Sequence, residues 1–230
     1  KNILTKKRIQ SFLLEEFLEG VEYVVDTVSY EGKHYVTGLF LYEKVYIDNE
    51  PTYLNASAIQ IDSAVAETII AYTNDVLSAS QVEFGANHTE VMYTNDGPRL
   101  IEVNPRISGG FAGLQKQSAW SYGISQLELL IQIAKTKSTT TPKQAYRPSC
   151  TSFFYDQSGE GACHVDLTDL KSEQIEVLYS QQQACKSSSI QVINTSIIAF
   201  IADDGPNIDC DIKLLREREF EKKLFVERRA

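Results

Sequence analysis

Residues 85–110 read GANHTEVMYTNDGPRLIEVNPRISGG, and the centre of this stretch carries the strongest turn signal in the chain. The flanking runs, HTEVMYT (88–94) and RLIEVN (99–104), are rich in β-branched, aromatic and aliphatic residues, which favour strands. Between them lies NDGP (95–98), and Asn, Asp, Gly and Pro are the residue types that turns prefer. The pattern predicts a β-hairpin.

Two acidic residues, Glu90 and Glu102, lie on the two arms of this hairpin. A simple even-numbered loop through Asp96 and Gly97 would put them on opposite faces, whereas an odd loop or a bulge centred on Asp96 would set them side by side. Bulges are common beside functional sites, which favours the second arrangement. Asn104 follows Glu102 by two residues and therefore projects from the same face.

Side-by-side carboxylates repel each other unless a cation lies between them. Two carboxylates and the amide oxygen of Asn104 suit Mg²⁺, a hard ion that prefers oxygen ligands. The sequence therefore predicts a metal site formed by Glu90, Glu102 and Asn104. The alternative is an exposed hairpin with scattered acids.

Arg106 is separated from Asn104 only by Pro105. A rigid arginine beside a metal–phosphate site stabilises the charge that develops during phosphoryl transfer. The ordinary alternative for an isolated arginine is a surface salt bridge. Its place directly after Glu102, Val103, Asn104 and Pro105 favours the catalytic interpretation.

The rest of the pattern is that of an α+β protein. VEYVVDTVSY (21–30) and KHYVTGLFLY (33–42) flank Glu31–Gly32 and predict another hairpin. Apolar residues at helical spacing predict helices over 63–79, with Asp62 or Ser63 as the cap, and over 124–134. SFLLEEFLEG (11–20) is interpreted as a buried strand that ends in a turn.

A polar, Thr-rich segment at 135–144 marks a boundary between two predicted units, 1–137 and 142–230. The second unit holds β-prone runs at 150–155, 190–193 and 196–202, so it is predicted to be a smaller β-rich domain.

Composition narrows the class of protein. A formal net charge of −9 and a pI near 4.9 argue against a broad nucleic-acid surface, which needs clustered Lys and Arg. The four cysteines show no metal-ligand spacing, and no apolar run approaches the roughly 20 residues of a membrane helix. The start of the sequence lacks the apolar core of a signal peptide. These features predict a cytoplasmic protein with no nucleic-acid or membrane partner.

The two acids, the turn, the E-x-N-x-R arm and the following glycine pair (109–110) together resemble the metal-binding hairpin of ATP-grasp enzymes. The likeness is to the L-amino acid ligases and the carbamoyl-phosphate-synthase-like group, and it covers roughly residues 12–135. It implies the second ATP-grasp subdomain, an antiparallel sheet with helices on one face, followed by the β-rich domain. It also implies ATP and Mg²⁺ (or Mn²⁺) as cofactors, held in part by the three predicted metal ligands, with Arg106 catalytic.

The resemblance extends to LLEEFLEGVEYVVD (13–26), which is similar to the adenine-binding hinge of the family. It implies that Glu15 faces the adenine amino group, that the backbone of residues 16–18 supplies hinge contacts, and that Glu22 binds the ribose hydroxyls. The implied nucleotide-binding residues are Glu15, Glu16, Phe17, Leu18, Glu22, His88 and Met92. Met92 would cap the adenine and His88 would face phosphate, although a neutral His is a weaker substitute for the basic residue of some relatives. Without the resemblance, EEFLEGVE (15–22) is an acidic turn.

The family also needs a glycine-rich loop and lysines that grip the phosphates upstream of the hinge, whereas Gly20 is the only glycine among the first 20 residues. We therefore expect a fragment, inactive by itself, of an ATP- and Mg-dependent ligase that joins a carboxylate to an amine through an acyl phosphate. Its partners would be small-molecule substrates and the missing N-terminal half, in cis or as a split-gene product, with homo-oligomerisation left open. The alternatives are an ATP-grasp enzyme with a non-amine acceptor, such as a carboxylase or thiol ligase, and a non-catalytic nucleotide-binding module.

Overall fold

A computed structural model describes residues 13–47, 50–109, 113–141, 145–155, 164–180, 195–220 and 225–226. The strands are β1 (Val21–Tyr30), β2 (Lys33–Ile47), β3 (Glu50–Ala58), β4 (Gly85–Thr94), β5 (Gly97–Asn104), β6 (Ser149–Tyr155), β7 (His164–Val165), β8 (Gln174–Ser180), β9 (Thr195–Ala202) and β10 (Phe225–Val226). The helices are α1 (Ala64–Ala79), α2 (Gly113–Tyr122), α3 (Gln126–Thr136) and α4 (Asn207–Phe220). No helix in these described ranges is long and apolar enough to cross a membrane.

Eight of the strands form one sheet in the order β5-β4-β1-β2-β3-β6-β9-β8. Every neighbouring pair in it is antiparallel. Strands β7 and β10 form a separate two-stranded sheet. The antiparallel sheet with its helices confirms the predicted α+β class.

Both predicted hairpins form. The β1–β2 turn uses Glu31 and Gly32, which have φ values of 52° and 73°. The β4–β5 turn is the two-residue loop 95–96, because Thr94 pairs directly with Gly97. Gly97 has φ 92°, a conformation that glycine adopts without steric cost.

Helix α1 begins where the sequence predicts, and Ser63 is its N-cap: its side chain accepts a hydrogen bond from the backbone N–H of Ala66. Helix α3 begins with a capping box, in which Ser125 and Glu128 satisfy each other's backbone N–H groups. These local signals fix where each helix starts against the sheet.

The helices cover both faces of the sheet, which corrects the expectation of helices on one face. Val24 packs with Leu114 of α2, whereas the next residue, Val25, packs with Ala66 and Ile69 of α1. Successive residues of a strand point to opposite faces. Both valines are fully buried, so each apolar face of β1 needs its own cover.

Strands β6, β8 and β9 extend the same sheet, because β3 pairs with β6. Helix α4 packs on them through Leu215, which lies in a buried cluster with Cys150 and Phe154. The predicted runs at 150–155 and 196–202 are confirmed as β6 and β9, while the run at 190–193 lies outside the described residues. The division into units at 1–137 and 142–230 stays a prediction.

The predicted buried strand over 11–20 is wrong for its described part, because residues 13–19 have no regular structure. Leu13 and Leu14 are 80% and 86% exposed. Strand β1, which this segment enters, already has β4 and β2 on its two sides, so no position beside it is free for another strand.

Candidate functional site

One face of β1 and β4 carries most of the predicted site. Glu22 lies opposite Met92, Val24 opposite Glu90, and Asp26 opposite His88. Residues two apart in a strand point the same way, so all six side chains share one face. Helix α2, which packs on Val24, lies on this face.

Strand β5 adds the second acid. Glu102 pairs directly with Glu90, and the register shifts between Glu90 and Val91, where Val91 pairs with Leu100. Ile101 is therefore the extra residue of a β-bulge. The predicted side-by-side arrangement of the two acids is confirmed, but the bulge lies at Ile101 and not at Asp96.

Asn104 and Arg106 extend the same edge. Asn104 pairs with His88 across the strands, and its Nδ2 donates a hydrogen bond to Glu102 Oε1. The backbone N–H of Arg106 donates to the carbonyl of Asn104 at 2.8 Å. The exposed Arg106 guanidinium lies close enough to Glu90 to be one of the charges that lower the pKa of that carboxyl.

His88 is buried between two carboxylates. Its Nδ1 lies 2.7 Å from Asp26 Oδ1, and its Nε2 lies 3.6 Å from Glu90 Oε1. Burial by itself would lower the pKa of His88, but the hydrogen bonds and charges of Asp26 and Glu90 outweigh it and raise the pKa to about 9. A cation held in this way fixes the orientation of Glu90. Whether His88 also faces phosphate stays a prediction.

The Asp26–His88 pair acts in turn on Glu90. Burial tends to raise the pKa of Glu90, yet the His88 hydrogen bond and charge lower it overall. Asp26 is fully buried, and its Oδ2 has no hydrogen-bond partner in the part of the chain that is described. The positive imidazole therefore supplies the main compensation for two carboxylates, and Glu90 remains an anion that can accept a cation.

Glu22 has a partner that the sequence analysis missed. Lys44 Nζ lies 2.6 Å and 2.7 Å from the two carboxylate oxygens of Glu22, and 4.3 Å from the centre of the Tyr53 ring. Burial raises the pKa of Glu22, and the charges of Glu90 and Glu102 raise it further against the lowering effect of Lys44. No signal near Glu22 in sequence marks Lys44, because it reaches this face from the neighbouring strand. The ribose-binding role of Glu22 stays a prediction.

A cleft of about 930 Å³ opens beside this face. Its lining includes the predicted hinge residues Glu15, Glu16, Phe17 and Leu18, together with Glu22, Lys44 and Met92. Gly20 joins the hinge to β1 in a close crossing, since a Cβ atom there would lie 2.3 Å from the carbonyl oxygen of Tyr93. The predicted nucleotide-binding residues other than His88 thus line one cleft.

The three predicted metal ligands can supply only part of the coordination shell of a hard divalent cation. Among the described residues, no group of three or more His, Cys, Asp or Glu side chains is placed to hold a metal ion. Glu90, Glu102 and Asn104 supply two carboxylates and one amide on adjacent strands. Mg²⁺ commonly takes one or two carboxylates and completes its octahedron with water and phosphate oxygens. The residues present therefore fit Mg²⁺ together with a phosphate ligand.

Comparison with known proteins adds a family and a fold. Residues 2–115 match the family model described as the ATP-grasp domain. Over 98 residues the chain is 35% identical to dapdiamide A synthase of Enterobacter agglomerans, in an alignment that covers 43% of this chain and 23% of that protein.

Two solved structures share the fold at low sequence identity. The L-amino acid ligase from Bacillus licheniformis matches with a TM-score of 0.71 and 17% identity, over 87% of this chain and 51% of that chain. Phosphoribosylglycinamide synthetase from Anaerococcus prevotii matches with a TM-score of 0.64 and 14% identity, over 86% and 52%. The chain thus spans about half the length of these solved proteins and about a quarter of the curated relative.

Proposed function

Because residues 2–115 belong to the ATP-grasp family, we propose that this chain forms the adenine- and metal-binding part of an ATP- and Mg²⁺-dependent carboxylate–amine ligase. The family supports the use of ATP, and two similar proteins are named as a synthase and as an L-amino acid ligase. The observation that carries the proposal is the direct pairing of Glu90 with Glu102 beside Asn104.

In the proposed site, Glu90, Glu102 and Asn104 would hold Mg²⁺ (or Mn²⁺) on the shared face of β4 and β5. When bound, this ion would neutralise phosphate oxygens. His88 keeps Glu90 charged and oriented through its contacts with Asp26 and Glu90.

Arg106 supplies a positive charge next to the metal ligands. It follows Asn104 by two residues, is exposed toward solvent, and is electrostatically coupled to Glu90. We assign it the stabilisation of the transferring phosphoryl group and of the tetrahedral intermediate, because charge develops at both.

The nucleotide would lie along the cleft. Residues 15–18 would contact the adenine, Met92 would pack against it, and Glu22 would accept the ribose hydroxyls. Lys44 would then have a double effect: it neutralises Glu22 and lowers the negative potential that Glu22, Glu90 and Glu102 present to an incoming polyphosphate.

The proposed reaction has two steps. A carboxylate oxygen attacks the γ-phosphorus of ATP, which forms an acyl phosphate and releases ADP. An amine nitrogen then attacks the acyl carbon, loses a proton and displaces phosphate. The glycine-rich loop and lysines that bind the phosphates would come from a segment of the whole enzyme outside these 230 residues. The whole enzyme would act in the cytoplasm.

The test is ATP turnover by the full-length enzyme with Mg²⁺ and a panel of amino acids. We expect Glu102→Gln to lower kcat by about 100-fold or more, since it removes a charged metal ligand from a site that works by charge stabilisation. Glu83→Gln makes the same chemical change at an exposed residue before β4 and should keep wild-type turnover.

Full activity of Glu102→Gln would overturn the metal assignment. ADP formation that depends on bicarbonate or a thiol and not on an amine would replace the ligase proposal by the non-amine alternative. The isolated 230-residue chain should release no phosphate under the same conditions.

A further inference from the structure

Gln126 is a fully buried polar side chain at the first position of α3. Its Nε2 donates to the backbone carbonyls of Thr27 at 3.0 Å and Asn87 at 2.9 Å. These two residues face each other on β1 and β4. The amide group therefore ties the start of α3 to the two central strands of the site.

The other end of the same amide holds the loop after β5. Gln126 Oε1 accepts hydrogen bonds from the backbone N–H of Ser108 at 2.8 Å and from Gln115 Nε2 at 3.0 Å. Gln115 Nε2 also contacts Ser108 Oγ, and Gln115 Oε1 accepts from the backbone N–H of Leu127 at 3.1 Å. Ser108 is thus held through both its backbone and its side chain.

The positions of these contacts relative to the site are specific. Thr27 follows Asp26, Asn87 precedes His88, and Ser108 lies two residues after Arg106. The network links the strands that orient Glu90 to the loop that carries Arg106. We name Gln126, Gln115 and Ser108 the amide clamp.

A buried primary amide is a costly choice for packing alone, since a leucine fills a similar space without polar atoms to satisfy. All the polar side-chain atoms of Gln126 have partners, and those partners belong to four separate segments: β1, β4, the loop after β5 and α2. Directional hydrogen bonds of this kind fix relative position, which a non-directional apolar contact does not.

We propose that Gln126 is a positioning residue that holds the Arg106 loop in register with the Glu90–Glu102 pair. The proposal rests on the proposed function, in which Arg106 acts on the transferring group. In this proposal the clamp sets the position of Arg106 relative to the two acids, which neither Arg106 nor the hairpin sets by itself.

The test compares Gln126→Leu with wild type in the full-length enzyme, alone and combined with Arg106→Ala. Gln126→Leu should lower kcat about 10- to 100-fold, because displacing a charge-stabilising group by about 1 Å has an effect of this size. The KM for ATP should change less than about twofold, since no residue of the clamp lines the cleft that residues 15–18 line. In the Arg106→Ala background the same substitution should change kcat by less than about twofold.

Gln132→Leu is the matched control. Gln132 lies on the same helix and also donates to two backbone carbonyls, those of Ser138 and Thr140, but these lie at the other end of α3. It should leave kcat within about twofold of wild type. Gln115→Leu removes one member of the clamp and leaves the bonds of Gln126 to β1 and β4 in place. It replaces Gln126→Leu in the same kcat comparison if Gln126→Leu does not fold.

Hydrogen exchange at the Ser108 amide gives a readout without nucleotide. It should become at least about tenfold faster in Gln126→Leu, because the acceptor of that N–H is lost. Unchanged exchange, or an equal fold-loss of kcat with and without Arg106, would overturn the positioning proposal alone. Wild-type kcat in Arg106→Ala would overturn the role of Arg106 in the proposed function, and this inference with it.

Discussion

Acidic residues have different roles at the two ends of the sheet. At the β8–β9 end, Asp203 and Asp211 are 7% and 2% exposed and accept hydrogen bonds from the chain's own loops. On the shared face of β1, β4 and β5, Glu90 pairs directly with Glu102, and Glu22 lies two residues along β1 from the residue that pairs with Glu90. The same residue type is therefore a structural anchor in one region and a source of repulsion in the other.

Most of the hydrogen bonds to Asp203 and Asp211 come from backbone N–H groups. The carboxylate of Asp211 accepts from the N–H of Lys171 at 3.0 Å and 2.9 Å, and from the N–H and hydroxyl of Ser172 at 2.6 Å each. Asp203 accepts from the N–H of Glu173 at 3.0 Å and from Gly205. Such bonds form when the chain folds, and they need no ligand.

Each acid on the shared face of β1, β4 and β5 has a side-chain partner and no backbone N–H donor among the described contacts. Glu22 has Lys44, Glu90 has His88, and Glu102 has the Asn104 amide. Burial and the neighbouring carboxylates raise the pKa of Glu22, the mark of an acid in an unfavourable field. The contrast separates the acids that stabilise the fold from the acids that need a cation, and three measurements of stability test it.

The free energy of unfolding should fall most when an anchor is removed. Asp211→Ala leaves the N–H groups of Lys171 and Ser172 without their acceptor and should lower the free energy of unfolding by about 3 kcal/mol. Chemical denaturation measures it, with Glu217→Ala on the exposed side of the same helix as the control. A loss below about 1 kcal/mol would remove Asp211 from the anchors.

A smaller effect should come from pH. The pKa of His88 is raised from 6.5 to about 9 by Asp26 and Glu90 against the effect of burial. A group whose pKa is raised on folding contributes stability that is complete below its unfolded pKa and is lost as pH rises through its folded pKa. Between pH 6.5 and 9 the metal-free protein should therefore lose on the order of 2 kcal/mol.

Denaturation curves in chelator at several pH values test this dependence. His88→Gln cannot titrate, so its stability should change less over the same pH range. A wild-type curve as flat as that of His88→Gln would show that His88 is not held as a cation by Asp26.

The smallest change in stability should be an increase. Glu102→Gln removes one of two like charges that face each other across β4 and β5, so without metal it should raise stability by about 0.5 kcal/mol. The thermal midpoint of the metal-free protein measures it, beside Glu83→Gln. A clear loss of stability would place Glu102 with the anchors.

Local signals predicted much of the fold. The turn residues after Thr94, the Ser63 cap and the β-prone runs on either side of Glu31–Gly32 each depend on neighbours in sequence, and both hairpins and the helix start form as predicted. Strand β3 was not predicted, because EPTYLNASA lacks strong alternation and becomes a strand by pairing with β2 and β6. The prediction of a buried strand was wrong over 13–19 for the converse reason. The apolar residues there suggest burial, but no strand lies beside them.

The site also has features that local sequence predicted and features that it did not. The pairing of Glu90 with Glu102 followed from spacing within one hairpin, although a bulge can lie at any residue of an arm and its place at Ile101 could not be read. Lys44 beside Glu22, Asp26 beside His88, and the bonds of Gln126 to Thr27, Asn87 and Ser108 join residues 18 to 99 positions apart. Such contacts are set by sheet register and helix docking, for which a single sequence carries no local mark.

The junction of β3 and β6 has a consequence for how the chain folds. It consists of three residue pairs over 55–57 and 150–152, and Asn55 and Ser152 lie 97 positions apart. Among the described strand pairings it is the most distant in sequence, so closing it demands the largest loss of chain entropy for the fewest ladder bonds. We therefore expect the two ends of the sheet to assemble separately and the junction to close late, so that the rate of reaching the native state is set by this short ladder and not by the hairpin of the site.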